Sequence, residues 1–260
     1  MSSVDYRHPD WLSPDWEAPQ VRALMSTRDG GVSEGLHESL NIGLSVQDEP
    51  AAVRENRRRF GAALQGMPVF LHQVHGTEVL RLEAGMGGIE THGQPADAAI
   101  STVPGLACAV SAADCMPVLF AAPRGVGAAH AGWRGLSGGV LERTLAALCE
   151  ASSCEPAEVQ VWMGPCIGPE AFEVGDEVLR AFGARPEPGA DAPHFRYRPN
   201  EAGQPRWRAD LVGLARERLS AAGVRRLSGG AWCTYSEPSR FFSYRREPQA
   251  GRMVAAICLA

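Results

Sequence analysis

Lysine is absent from this 260-residue chain, and all 25 basic residues are arginine. That excludes Schiff-base and pyridoxal-phosphate chemistry, and any phosphate loop built around a lysine. An anion held here must be gripped by guanidinium forks, backbone N–H groups or a metal. A C-x-x-C pair is missing too, and seven scattered cysteines, an odd number, do not fit a secreted disulfide framework. No window approaches the ~18 apolar residues of a membrane span. The opening MSSVDYRHPDWLSPDW carries charges and prolines where a secretory signal needs an apolar stretch. A net charge of −5 gives no electrostatic reason to expect nucleic acid or an anionic membrane as partner. These absences point to a soluble protein of a reducing compartment, the cytoplasm. They leave the oligomeric state, monomer or dimer, open.

What is present is ample apolar content, 45% of the chain, with no internal repeat and no linker able to separate domains. The centre of the chain is residues 106–135. Two apolar runs, Leu106–Ala112 and Pro117–Ala122, flank an Asp114-Cys115 pair. A third, Val126–Ala131, carries His130 into the turn Gly132-Trp133-Arg134-Gly135. Short apolar runs bounded by glycine and proline read as buried strands.

Further strands are expected at Val21–Arg28, Val69–His75, Glu78–Leu82, Asp97–Thr102, Val159–Met163, Gly230–Thr234 and Arg252–Leu259. Helices are expected from an Asp48 N-cap through Ala63, over Ser137–Ala151, near Asp176–Phe182 and over Asp210–Ala222. Residues 84–96 read as a glycine-rich loop and 184–206 as a surface excursion. Strands and helices mix irregularly, so the expected fold is a single α+β (mixed α/β) domain over residues 1–260.

His75 ends one strand, Cys115 sits in a strand connection, and His130 lies near the end of another strand. A thiol and imidazoles placed this way either ligate a metal or act as a nucleophile and its base. Three ligands from separate elements, without a fourth at finger-like spacing, fit a catalytic zinc site with an open position for water. Cys108, Cys149 and Cys258 fall in apolar runs and read as small buried hydrophobes. His72, an odd number of strand steps from His75, is expected on the opposite face. His8, His37, His92 and His194 lie in loop-like text and are expected to be solvated. The run Asn56–Arg59 reads either as a solvated helix face or as a source of one anion-binding arginine. Arg134, in a glycine turn opening a helix, suits either an anion site or a structural ion pair.

Several motifs together resemble one family, the YfiH-type laccase-domain proteins, also called polyphenol oxidases or peptidoglycan editing factors. They are TRDGGVS (Thr27–Ser33), SLNIG (Ser39–Gly43), QVHG (Gln73–Gly76), ADCMPVL (Ala113–Leu119) and AHAGWRG (Ala129–Gly135). Further along come GPCIGP (Gly164–Pro169), FEVGDEV (Phe172–Val178), Cys233-Thr234, FSYRR (Phe242–Arg246) and GRM (Gly251–Met253). The resemblance implies a layered αββα-type sandwich, similar to cytotoxic-necrotising-factor-like cysteine hydrolases. It also implies zinc, with copper as an alternative, bound by His75, Cys115 and His130. The implied activity is phosphorolysis of adenosine, inosine and 5′-methylthioadenosine, with adenosine deamination; the partners would be purine nucleosides and phosphate. Arg28, Arg134 and Arg245 are candidates for holding phosphate, and Asn41 for the ribose or base. Alternatives are an amidase that edits peptidoglycan precursors and a weak copper-dependent polyphenol oxidase. Multicopper oxidation needs more imidazoles than seven histidines can offer.

Overall fold

In a computed structural model of the chain, residues 6–88 and 95–260 are described. His92 and part of the glycine-rich stretch lie outside the described residues. In chain order come β1 (Val21–Met25), α1 (Pro50–Leu64), β2 (Met67–Phe70), β3 (Val79–Arg81), β4 (Ala98–Ser101), β5 (Leu106–Ala112), β6 (Met116–Ala122) and β7 (Gly125–Ala131). Then follow α2 (Trp133–Gly138), α3 (Val140–Ser152), β8 (Gln160–Met163), β9 (Glu173–Val174), α4 (Asp176–Ala181), β10 (Phe195–Tyr197), β11 (Trp207–Ala209), α5 (Leu211–Ala221), β12 (Arg226–Gly229) and β13 (Met253–Leu259).

Two main sheets form, with strand orders β1-β13-β5-β2 and β12-β8-β6-β7-β4-β3, beside a small sheet β10-β11-β9. Alternate residues of β5 and β13 explain why these strands are apolar throughout. Cys108, Val110, Met253, Ala255 and Ile257 pack against Leu119, Ala121, Val126 and Ala128 of the second sheet. Their neighbours Ala107, Ala109, Val254, Ala256 and Cys258 pack outward, against Phe60 and Leu64 of α1. On the second sheet, Met116, Val118, Phe120, Ala129 and Ala131 face α3 and α5. With a sheet on one face and a helix on the other, no strand face remains for polar residues. The layers run helix, sheet, sheet, helix, which is the expected αββα sandwich. No helix among the described residues is long and apolar enough to cross a membrane.

Several expected elements differ in instructive ways. The Val69–His75 strand stops at Phe70, and His75 sits at φ +60°, outside any strand conformation. The Ser137–Ala151 helix is two helices, because Gly139 takes φ +96° between them. The N-cap of α1 is Glu49 rather than Asp48. The Asp48 carboxylate is drawn instead to the Ser33 hydroxyl and the Asn41 amide. The excursion 184–206 contains β10, whose Phe195 packs in the core. The late strand is Arg226–Gly229, and the chain turns where Gly230–Thr234 was expected to extend.

The Asn56–Arg59 run is only half solvated. Asn56 is fully buried, donating to the Asn41 carbonyl and accepting from Val32 N. Arg57 donates to the Ile42 carbonyl and lies over the Phe70 ring. His37 is buried rather than solvated, its Nε2 being 3.0 Å from the Gln249 carbonyl. Cys149 is half-buried, whereas Cys108 and Cys258 are in the core.

Candidate metal centre and its cavity

The antiparallel register of β6 and β7 sets Met116 opposite Ala131 and Pro117 opposite His130. Cys115, one residue before β6, therefore reaches the sheet end where His130 stands. Asp114 makes the connection tight by taking φ +90°, a conformation few non-glycine residues adopt. It is held there by its carboxylate. Oδ1 accepts from the Thr234 hydroxyl at 2.6 Å, and Oδ2 from Ser243 at 3.0 Å and the Arg245 N–H at 2.6 Å.

His75 comes from the loop after β2. Gln73 anchors that loop to β5, accepting from Ser111 N at 2.7 Å and donating to the Ser111 carbonyl at 2.8 Å. The fully buried Asp97 carboxylate then gathers the loop's backbone. Oδ2 accepts from Val74 N (3.1 Å) and Gly76 N (2.7 Å), and Oδ1 from His75 N (2.9 Å). The same Oδ1 lies 2.8 Å from Nδ1 of His130. One carboxylate thus places both histidines and, by taking Nδ1 of His130, leaves Nε2 to Cys115. Sequence reading saw Asp97 only as a strand start; an acid just before an apolar run opposite a histidine strand was the available signal.

His75, Cys115 and His130 each offer a donor atom, and these atoms lie within 4.8 Å of one another. The two rings meet edge to face, with centroids 4.9 Å apart. Gly132 leaves this corner open, since a Cβ there would stand 2.8 Å from Cys115 Sγ and 3.2 Å from His75 Cδ2. Burial alone would push the Cys115 thiol up. The charge and hydrogen bonds of His130, with His75 beside it, outweigh burial and hold the thiol well below its ordinary value. Burial opposes protonation of His130, yet the Cys115 charge and the Asp97 hydrogen bond raise it. A thiolate, two imidazoles and a carboxylate behind one imidazole are a donor set that fits zinc with one position open, and also suits copper.

The three residues lie on the wall of a cavity of about 660 Å³. Arg57, Arg134, Arg245 and Arg252 also line it, as do the aromatic side chains of Trp133, Phe172 and Tyr244. His72 is on this wall too, outside the three-donor group. Arg134 is exposed and stacked on Trp133 at 4.4 Å. Arg245 donates to the Glu173 carbonyl at 3.2 Å and lies over Phe172.

The remaining two expected residues are elsewhere. The Arg28 guanidinium donates to the carbonyls of Glu38 and Pro238 and lies over Phe242. The Asn41 amide is divided among Gly43, Asp48 and the Arg252 N–H. Neither is among the described residues lining the cavity. Arg57, in the Asn56–Arg59 run that sequence reading left as a possible source of an anion-binding arginine, does line it, and so does Arg252, to which sequence reading gave no role.

Residues 22–260 match the family model described as multi-copper polyphenol oxidoreductase laccase. Among curated relatives, Purine nucleoside phosphorylase PA4543 of Pseudomonas aeruginosa is 46% identical over 252 residues, covering 96% of this chain and 98% of that one. Purine nucleoside phosphorylase YfiH of Escherichia coli is 46% identical over 243 residues, covering 92% and 94%. Among solved structures, Neisseria meningitidis protein NMB0706 superposes with a TM-score of 0.84 at 43% identity, covering 96% of this chain and 99% of that one. Bacillus licheniformis YfiH gives 0.83 at 31% identity, covering 93% of each. With the whole sandwich and its cavity inside the matched region, this chain belongs to the laccase-domain family that includes YfiH.

Proposed function

We propose that this chain is a purine nucleoside phosphorylase, acting on adenosine, inosine and 5′-methylthioadenosine, with adenosine deaminase activity. One observation carries the reading. A metal-capable His75–Cys115–His130 corner and several guanidiniums share one cavity large enough for a nucleoside. The names of the relatives support the reaction class.

In phosphorolysis, a phosphate oxygen attacks C1′ of the ribose while the bond to the purine nitrogen breaks, and the base leaves with a proton. Guanidinium forks on the cavity wall hold the anion, and the exposed Arg134 and Arg245 draw it toward the mouth. Trp133, Phe172 and Tyr244 offer aromatic faces for the base. Asp97 fixes the His130 ring and the His75 backbone, so the corner is ordered before substrate arrives. Arg28 and Asn41 act as scaffold, shaping the segments on which the cavity rests. Zinc held by His75, Cys115 and His130 would supply a Lewis acid and a water of lowered pKa, the chemistry a deaminase requires.

Purified protein of verified zinc content should release adenine from adenosine only when phosphate is present. Cys115→Ala should abolish this, and unchanged turnover in that variant would remove the corner from the mechanism.

A second reading draws on one specific contact set. Cys115, His130 and Asp97 also form a thiol–imidazole–carboxylate series, the arrangement of a cysteine hydrolase that could cut an amide in a peptidoglycan precursor. Stoichiometric zinc together with a Cys115 inert to iodoacetamide argues against it, because one sulfur does not serve as tight ligand and free nucleophile at once. Among the described residues a single group can hold a metal, so a multicopper cluster finds no ligands here.

A further inference from the structure

Among the described residues, the four arginines on the cavity wall share it with one carboxylate, Asp114, whose two oxygens accept from Thr234, Ser243 and the Arg245 N–H. The cavity is therefore cationic inside a chain of net charge −5. The arginines are not equivalent. Arg134 and Arg245 are exposed, so water and salt screen them. Arg57 is buried and Arg252 half-buried, and desolvation pushes both pKa values down, Arg57 to about 10.

Both of these less exposed arginines are built onto one segment, residues 41–43. Arg57 Nε donates to the Ile42 carbonyl, Ile42 N donates to the Arg252 carbonyl, and Arg252 N donates to the Asn41 amide oxygen. Gly43 lets Arg252 lie close, since a Cβ there would stand 2.8 Å from its Cγ. The Arg252 guanidinium has only neutral hydrogen-bond partners among the described residues, the carbonyls of Ala250 and Gly251, with the Tyr244 ring over it. A half-buried guanidinium bonded only to carbonyls, with the Asp114 and Cys115 charges acting on it but no carboxylate hydrogen-bonded to it, gains a direct partner when an anion enters.

We infer that Arg252, with Arg57 beside it on the Asn41–Gly43 segment, forms the orthophosphate subsite of the cavity, leaving the exposed Arg134 and Arg245 at its mouth. The assignment rests on the phosphorylase reading for the reaction, though phosphate binding can be measured without it.

The experiment titrates inorganic phosphate into zinc-loaded protein by thermal shift. Arg252→Gln should raise the phosphate midpoint about tenfold or more, the loss of one charge-assisted contact, with the adenosine midpoint within about threefold of wild type. Arg134→Gln and Arg245→Gln should keep the phosphate midpoint within about threefold. An unchanged midpoint in Arg252→Gln, or a larger loss in either mouth variant, overturns the assignment. Because Arg252 also ties down its own loop, the wild-type protein gives an independent reading. Phosphate should slow phenylglyoxal labelling of Arg252, mapped by mass spectrometry, and leave Arg134 labelling unaffected; indifference of Arg252 to phosphate overturns the subsite. Phosphate binding through Arg252 without nucleoside cleavage sinks the phosphorylase reading and keeps the subsite. Cleavage with a normal phosphate midpoint in Arg252→Gln does the reverse.

Discussion

Cys115 and His130 reach the metal corner from adjoining strands of one antiparallel meander, while Arg57, Arg245 and Arg252 reach the cavity from a helix near one chain end and loops near the other. The Cys115–His130 part of the corner is made by short-range register. The arginine wall is made by buried polar ties across great sequence distance, such as Asp114 to Arg245, 131 residues apart. A register tolerates surface change, because the whole apolar alternation of β6 and β7 maintains it. A buried tie fails when one partner is lost, because the other is left unsatisfied.

The largest effect expected of breaking this contrast is at Asp97, whose contacts to both histidines tie the corner together across the chain. Asp97→Asn should lower zinc affinity by about 10–100-fold in a chelator competition, since His130 loses its orienting carboxylate. An affinity equal to wild type would show that the strands alone hold the corner. Asp114→Asn should cost about 1.5–3 kcal/mol in denaturant unfolding, because charge-assisted bonds from Thr234, Ser243 and Arg245 are weakened together. Gly132→Ala tests whether the corner needs its gap. The added methyl, 2.8 Å from Cys115 Sγ, should destabilise by about 1–3 kcal/mol and weaken zinc binding while far-UV circular dichroism stays unchanged.

The pH dependence sharpens the same comparison. In metal-free protein, iodoacetamide should alkylate Cys115 with a rate that levels off below the ordinary thiol value of about 8.5, because the His130 charge favours the thiolate. His130→Ala should move the inflection back up, because burial then acts with less opposition. The smallest effect belongs to a contact in neither wall. Glu170→Gln breaks an exposed pair with Arg196 and should leave the melting temperature unmoved.

The central strands were legible because both faces are buried, so apolar text runs unbroken between glycine and proline; β5 matches its expected bounds residue for residue. Period and punctuation also served α5, which fills the expected Asp210–Ala222 span, with Asp210 as its cap accepting from Gly213 N. Reading failed where a long-range partner outbid a local preference. Asp48 is a good cap by type, yet Ser33 and Asn41 claim it. Asn56 and Arg57 belong to a run that reads as a solvated helix face or as a source of one anion-binding arginine, yet the 39–43 segment folds over them. Arg28 and Asn41 were chosen for their motifs, and both spend their side chains on the scaffold.

The sequence by itself pointed to the α+β class, through short apolar runs and their punctuation, and to His75, Cys115 and His130 as a candidate ligand set; the layered sandwich came with the family resemblance. Only the tertiary structure decided that Asp97 aligns two of those donors and that Arg57 and Arg252, rather than Arg28, enter the cavity. Such contacts are chosen by burial: a charged group taken from water must find a partner wherever the fold presents one, and nothing in its own neighbourhood of the chain records where that is.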